Sequence, residues 1–261
     1  DNNVVSRQGG DEFMILLLNT SKEEAGYIAD RIVKELENPI LINGNELFIT
    51  SSIGISLYPE HGVDVDTLIK RADTSMYSAK EQCKNSYQFF NSIMDEHITL
   101  KVNLENGLRR AIEFKELSVV YQPKLDLLSN KIVGVEALLR WKHNDYGFVS
   151  PSTFIPLAEE TGLIVKLGDW VLYEASLQLK KWHNEGLDDF LVSVNVSTIQ
   201  FLQKDFVEKV ERVLEEANLD PKYLELEITE STMKDLNLVI PKLEKLRQLG
   251  IKISVDDFGS G

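Results

Sequence analysis

The rhythm of hydrophobic and polar positions changes near residue 91, and a different pattern lies on either side. From Val4 to Leu18 the chain reads as a hairpin. Val4-Val5-Ser6-Arg7 leads into Gly9-Gly10, and Phe13-Met14-Ile15-Leu16-Leu17-Leu18 leads out, with glycine supplying the positive φ of a tight turn. Thr20 or Ser21 caps the next segment, a helix with Glu23 and Glu24 in its first turn. Ala25, Ile28, Ala29, Ile32, Val33 and Leu36 follow helical spacing, and Pro39 ends it. Ile40-Leu41-Ile42 and the run 47–57 flank Asn43-Gly44-Asn45 as a second hairpin. A second helix over 65–80 and a short strand over 87–90 follow. Hairpins mixed with helices predict a partly antiparallel sheet.

Residues 93–116 predict a connecting helix, with Met94, Ile98, Val102, Leu108 and Ile112 as one apolar stripe. Asn91-Ser92 is its cap and the expected boundary, which divides the chain into 1–91, a connecting helix over 92–116, and 117–261. Beyond it, strands over 118–125, 131–141, 190–196, 223–229 and 251–257 alternate with helices over 152–160, 165–185, 204–217 and 236–249. Long helices between strands imply crossovers and a parallel sheet. The expected class is α/β, either doubly wound or a (β/α)8 barrel.

Parallel strands covered on both faces read as continuous apolar runs, and these do not. Val133, Val135, Ala137, Leu139 and Trp141 share one face, with Glu136, Leu138 and Arg140 on the other. Phe190, Val192, Val194 and Val196 oppose Ser193, Asn195 and Ser197; Leu224, Leu226 and Ile228 oppose Glu225, Glu227 and Thr229; Ile251, Ile253 and Val255 oppose Lys252, Ser254 and Asp256. Asn195 and Glu227 are 32 residues apart, and Glu227 and Asp256 are 29, one βα repeat each time. Glu136, Asn195, Glu227 and Asp256 are therefore expected at matching heights on the C-terminal rim, with Asp257 at the turn. Barrel enzymes place their chemistry at this rim. A single acidic residue at a strand end is ordinarily just solvated, but four strands in register make convergence the better reading.

Carboxylates gathered on one rim repel each other unless cations offset them. All-oxygen ligands suit Mg²⁺ or Mn²⁺, and a cluster this acidic can hold two ions about 3.5–4 Å apart, as in phosphoryl hydrolysis. Arg140, further along the Glu136 face, can grip a phosphate bidentately. Glu225 and Lys252 lie lower on the polar faces and are expected to form an ion pair inside the barrel.

Composition narrows the classes. The chain has 261 residues, 43% hydrophobic and 27% charged, an ordinary globular mix. No apolar run approaches a membrane span. The formal net charge of −14, with the acid spread over both halves, argues against a nucleic-acid partner. One cysteine, Cys83, excludes an internal disulfide and fits a cytoplasmic compartment. A membrane anchor elsewhere in a longer parent remains compatible with this. There is no P-loop, no Rossmann fingerprint and no His-Glu-x-x-His. His61, His97, His143 and His183 lack metal-site spacing and are expected at the surface, whereas Trp141, Trp170 and Trp182 are expected in helix–strand packing.

These residues also resemble known families. Glu136-Ala137-Leu138-Leu139-Arg140-Trp141 is similar to the signature of the EAL phosphodiesterases of bacterial cyclic di-GMP signalling. Tyr121-Gln122-Pro123, the runs 154–159 and 161–164, Val194-Asn195-Val196-Ser197, Glu227-Ile228-Thr229-Glu230 and Asp256-Asp257-Phe258-Gly259-Ser260-Gly261 extend the resemblance over about 105–261. Arg7-Gln8-Gly9-Gly10-Asp11-Glu12-Phe13 and the helix from Ala72 to Lys80 resemble the GGDEF domain, the diguanylate cyclase module, over about 1–90.

The resemblance implies a partial GGDEF domain with a mixed sheet, then a truncated (β/α)8 barrel whose first strand runs antiparallel. By resemblance, Glu136, Asn195, Glu227, Asp256 and Asp257 hold two Mg²⁺ or Mn²⁺ ions, with Glu136, Asp256 and Asp257 as catalytic groups. Gln122 and Arg140 contact substrate, and Glu230 steadies the loop after the Asp-Asp pair. Gly9, Gly10, Asp11, Glu12, Phe13 and Lys80 are the GGDEF signature positions, and Asp11 is a further divalent-ion candidate. The implied reaction is hydrolysis of cyclic di-GMP to linear pGpG in a homodimer formed through EAL domains, with GTP as a ligand of a regulatory GGDEF half. The alternatives are a receptor that binds cyclic di-GMP without cleaving it and a bifunctional cyclase and phosphodiesterase. Both ends look cut, with five of eight barrel strands present, so the isolated chain is expected to be inactive.

Overall fold

The computed structural model describes residues 3–82 and 84–256. The chain divides into two compact units, 1–101 and 102–261.

The first unit opens with β1 (Val4–Gly9) and β2 (Glu12–Leu16), an antiparallel pair. Gly10 sits at φ +56° in the turn, and the Arg7 guanidinium donates to its carbonyl at 3.0 and 2.6 Å. Helix α1 (Lys22–Leu36) starts at Ser21, which resolves the choice of cap. The Ser21 hydroxyl accepts from Glu24 N at 3.2 Å and the Glu24 carboxylate accepts from Ser21 N at 2.9 Å, a capping box.

The second hairpin is shorter than the pattern predicts. β3 (Ile40–Ile42) pairs with β4 (Asn45–Leu47) around Asn43 and Gly44, both at positive φ, so Asn45 belongs to the strand rather than the turn. The run that follows breaks off as β5 (Ser52–Ile55), crosses over through α2 (Val65–Gln82), and pairs in parallel with β6 (Ser86–Phe89). A Cβ on Gly54 would stand 1.9 Å from the Ala72 carbonyl oxygen, so a glycine is what lets α2 lie against β5. The unit is thus mixed, as expected, in three separate strand pairs.

Helix α3 covers Ser92–Leu108, and 109–115 form turns that close on Lys115 at φ +55°. The longer helix expected over 93–116 ends early because the chain tightens after Gly107, with Arg110 N bonded to Gly107 O and Ala111 N to Leu108 O. Met94, Leu104 and Leu108 are buried, while Val102, expected on the same stripe, is 51% exposed.

In the second unit, β7 (Leu117–Asp126) runs antiparallel to β8 (Lys131–His143), which carries a short antiparallel β9 (Gly147–Val149). Then come α4 (Pro151–Glu160), α5 (Ile164–Asn184), β10 (Leu191–Val196), α6 (Thr198–Phe201), α7 (Phe206–Glu216), β11 (Leu224–Thr229), α8 (Leu236–Gln248) and β12 (Lys252–Asp256). The sheet order is β12-β11-β10-β8-β7, with β8, β10, β11 and β12 parallel. The antiparallel first strand and the βα order match the expected class.

The apolar faces of β10 and β11 form the core, with Val192, Val194, Leu224, Leu226 and Ile228 at 1% exposure or less. Leu172 and Leu179 of α5 and Val210 and Leu214 of α7 complete it. Trp141 is fully buried, edge-on to Phe154, and donates Nε1–H to Glu116 at 3.0 Å. Trp182 meets Tyr121 edge-on at 4.8 Å. Burial by the sheet and that ring, then the charge of Glu174, push the Tyr121 hydroxyl up to about 12.

Three of the four histidines differ from expectation, while His97 is exposed as expected. His61 and His143 are buried, each with Nδ1 accepting backbone N–H groups, and His183 contacts the Phe190 carbonyl oxygen at 2.8 Å. Their rings satisfy turns, a use that spacing along the chain does not reveal. Among the described residues no helix is long and apolar enough to cross a membrane.

Candidate active site on the polar face of the sheet

The polar face of the sheet is concave across β12-β11-β10-β8-β7. Lys124 of β7 bonds to Glu225 and Glu227 of β11, three strands away. A flat sheet would hold those strands about 14 Å apart, three spacings of about 4.8 Å. Side chains standing off one face meet across that distance when the sheet curls around them, as a barrel wall does.

Glu136 and Asn195 meet directly. Asn195 Nδ2 donates to Glu136 Oε1 at 2.6 Å. Asn195 is the register partner of Glu227, so those two side chains leave neighbouring strands at one level. Matching heights do not hold along the ladder itself. Glu136 is level with Ser193, two residues below Asn195, and Asp256 is level with Thr229, two residues above Glu227. Strands tilted in a barrel climb in register from one to the next, so a staggered ladder gives a level rim.

Gln122 is the register partner of Glu136 on β7 and is exposed toward the same face. Arg140 lies one side-chain step beyond Leu138 on the Glu136 face, with Nη1 donating to the Leu139 carbonyl oxygen at 2.9 Å. Glu230 opens a 3-10 turn over Glu230–Lys234 at the end of β11. Asp257 lies outside the described residues, as does the loop that Glu230 was expected to steady. Among the described residues, no three acidic or histidine side chains form one ion-binding group. The donor set itself is all oxygen and suits a hard divalent cation.

The expected Glu225–Lys252 ion pair is replaced by another. Lys252 is the register partner of Glu225, but the cation that reaches Glu225 is Lys124, at 3.0 Å. Lys124 Nζ also donates to Ser193 Oγ at 2.5 Å and to Glu227 Oε1. Burial pushes the Lys124 ammonium down, but its bonds to Glu227 and Glu225 outweigh this and hold it above the usual lysine value. Burial pushes the Glu225 carboxyl up, yet the Ser193 hydroxyl and the Lys124 ammonium together hold it below the ordinary glutamate value. Sequence reasoning overlooked Lys124. The signal was available, since Lys124 follows Gln122 by two residues and so shares its strand face.

In the first unit the signature turn is formed by Gly9, Gly10, Asp11 and Glu12, with Gly9 paired to Glu12. Phe13 is exposed, and Lys80 lies in the last turn of α2.

Comparison with known proteins places these features. The EAL domain family model matches residues 105–261, and the diguanylate cyclase GGDEF domain model matches residues 1–86. The chain is 42% identical over 258 residues to the bifunctional diguanylate cyclase/cyclic di-GMP phosphodiesterase MucR of Pseudomonas aeruginosa, covering 98% of this chain and 38% of that protein. It is 37% identical over 262 residues to the cyclic di-GMP phosphodiesterase NbdA of the same organism, covering 100% of this chain and 34% of that protein. The chain thus spans little more than a third of the length of these relatives. A solved structure described as the PaMucR phosphodiesterase in complex with c-di-GMP superposes with a TM-score of 0.59 at 44% identity, covering 61% of this chain and 65% of that one.

Proposed function

Since the chain belongs to the EAL domain family and carries a GGDEF match ahead of it, we propose that the protein hydrolyses one phosphodiester of cyclic di-GMP to linear pGpG. The observation that carries this is the 2.6 Å contact between Asn195 and Glu136, with Glu227 level with Asn195 on the next strand. Oxygen donors from three neighbouring strands then face one concave surface.

Glu136, Asn195, Glu227, Asp256 and Asp257 are the residues that would hold two Mg²⁺ or Mn²⁺ ions. When bound, such ions neutralise charge on phosphoryl oxygens and lower the pKa of water. The chain's own carboxylates make cations necessary, because a bare acidic rim repels an anionic phosphodiester. Arg140 offers a planar fork that matches phosphate oxygens. Gln122, across from Glu136, offers an amide that can both donate to and accept from the substrate.

The proposed organisation is a GGDEF part over 1–91, a linking segment over 92–116 and an EAL part over 117–261. In it GTP binds the regulatory first half, Glu230 steadies the loop beyond β12, and the EAL halves pair as a homodimer in the cytoplasm. A second reading, cyclase activity alongside hydrolysis, is favoured by the likeness to the bifunctional MucR and by the turn at Gly10.

The test is Glu136→Ala in the full-length protein, followed by chromatography of the guanine products. Hydrolysis of cyclic di-GMP in Mg²⁺ or Mn²⁺ is expected to fall below detection. Retained pGpG formation refutes the assignment. Loss of hydrolysis with pGpG or cyclic di-GMP binding intact separates the enzyme from a pure receptor.

A further inference from the structure

Lys124 lies on β7, which contributes no ligand to the proposed ion site, yet its ammonium sits beneath that site. An ammonium has three donors, and three acceptors take them: Ser193 Oγ on β10, and Glu225 Oε2 and Glu227 Oε1 on β11. Ser193 in turn donates to Glu225 Oε2 at 2.5 Å, so the lysine's anchor is itself held. With its donors used, Lys124 has none left for substrate. Glu227 is 8% exposed, and a buried carboxylate needs partners for its charge. One of its oxygens is claimed by Lys124 and the other is left for a cation.

We infer that Lys124 is a positioning residue. Held by Glu225 and Ser193, it fixes the Glu227 carboxylate so that a single oxygen, Oε2, is presented to a divalent ion. This rests on the ion site proposed above. Hydrogen-bond partners behind metal ligands of this kind are typically worth about 10–100-fold in metal affinity.

A competing role gives the opposite sign. If Lys124 were only a tethered cation occupying Glu227 in place of a metal, removing it would tighten metal binding. Removing one positive charge alone also draws a cation closer by Coulomb attraction, which masks a loss of orientation. The informative variant therefore removes both charges of the pair.

The experiment titrates Mn²⁺ alone into the full-length protein and reads free Mn²⁺ by electron paramagnetic resonance. The proteins are wild type, Glu227→Gln, Lys124→Met and the double variant Lys124→Met/Glu225→Gln. We expect the double variant to bind Mn²⁺ about 10–100-fold more weakly than wild type, with Lys124→Met alone weakened less. Wild-type or tighter affinity in the double variant overturns the inference. If the double variant fails to fold, Lys124→Gln/Glu225→Gln carries the same reading, since two amides can still bond to each other. Should Glu227→Gln bind as many Mn²⁺ ions, as tightly, as wild type, the ion site itself fails. That outcome differs from an unmoved double variant in a protein whose Mn²⁺ binding does depend on Glu227.

Discussion

β1 and β2 form a pair of strands joined by a turn; β10 and β11 form a pair joined by helices, and their apolar residues meet opposite fates. Val5 is 66% exposed and Phe13 64%, whereas Val192, Leu224 and Leu226 are fully buried. Both pairs carry the apolar residues of a strand pattern, so the pattern alone does not decide burial. The covering layer does, and the hairpin-joined β7–β8, with Val135, Ala137 and Trp141 buried, takes its layer from α4 and α5 later in the chain. A hairpin turn brings no second layer, while a parallel connection must cross over and lays a helix on the sheet. Between β10 and β11 the crossover delivers α7, whose Phe206, Val207, Val210 and Leu214 are all buried.

The largest expected effect is therefore in the covered pair. Leu226→Ala removes a fully buried side chain from a close-packed core and is expected to cost about 2–5 kcal/mol. All three tryptophans, Trp141, Trp170 and Trp182, lie in this unit, so a denaturant titration followed by tryptophan fluorescence reads the loss directly. An unchanged midpoint would mean that this face can collapse around the gap.

The first unit is not uniformly bare, and a second substitution sharpens where its packing lies. Among the described residues its one parallel pair, β5–β6, is also its one pair connected through a helix. Gly54→Ala drives a methyl into the backbone of α2, with the Ala72 oxygen at 1.9 Å and Met76 N at 2.2 Å. Overpacking typically costs about 1–3 kcal/mol. Faster amide exchange across residues 65–82, with the tryptophan signal unchanged, is the expected outcome. Unchanged exchange in α2 would show that the helix shifts at little cost.

The same contrast explains what was legible in the sequence. The helices and strands of the second unit were readable because each strand face is either against a helix or in the concavity, so alternation maps onto structure. The 47–57 run misled because apolar residues continue across two strands with different partners, and only Asn43 and Gly44 mark where β4 turns. At the site, strand periodicity placed Glu136, Asn195, Glu227 and Asp256 on one face. It could not supply the stagger between strands, which depends on tilt, nor the choice of Lys124 over Lys252 for Glu225. Lys252 is in register with Glu225 along a flat ladder, whereas Lys124 reaches it through the curl of the sheet.

The smallest expected effect tests the uncovered pair itself. Phe13 stands 64% exposed, and the Arg7 guanidinium lies 6.0 Å from its ring centroid. An exposed cation–π contact is worth about 0.5–1 kcal/mol, and that guanidinium keeps its bonds to the Gly10 carbonyl oxygen when the ring is gone. Phe13→Ala is therefore expected to cost only that contact, about 0.5–1 kcal/mol. Amide exchange in residues 4–16 is the measurement, because it reads the hairpin apart from the second unit's core. A loss comparable to that of Leu226→Ala would break the comparison. It would mean that a layer covers the hairpin in the full-length protein.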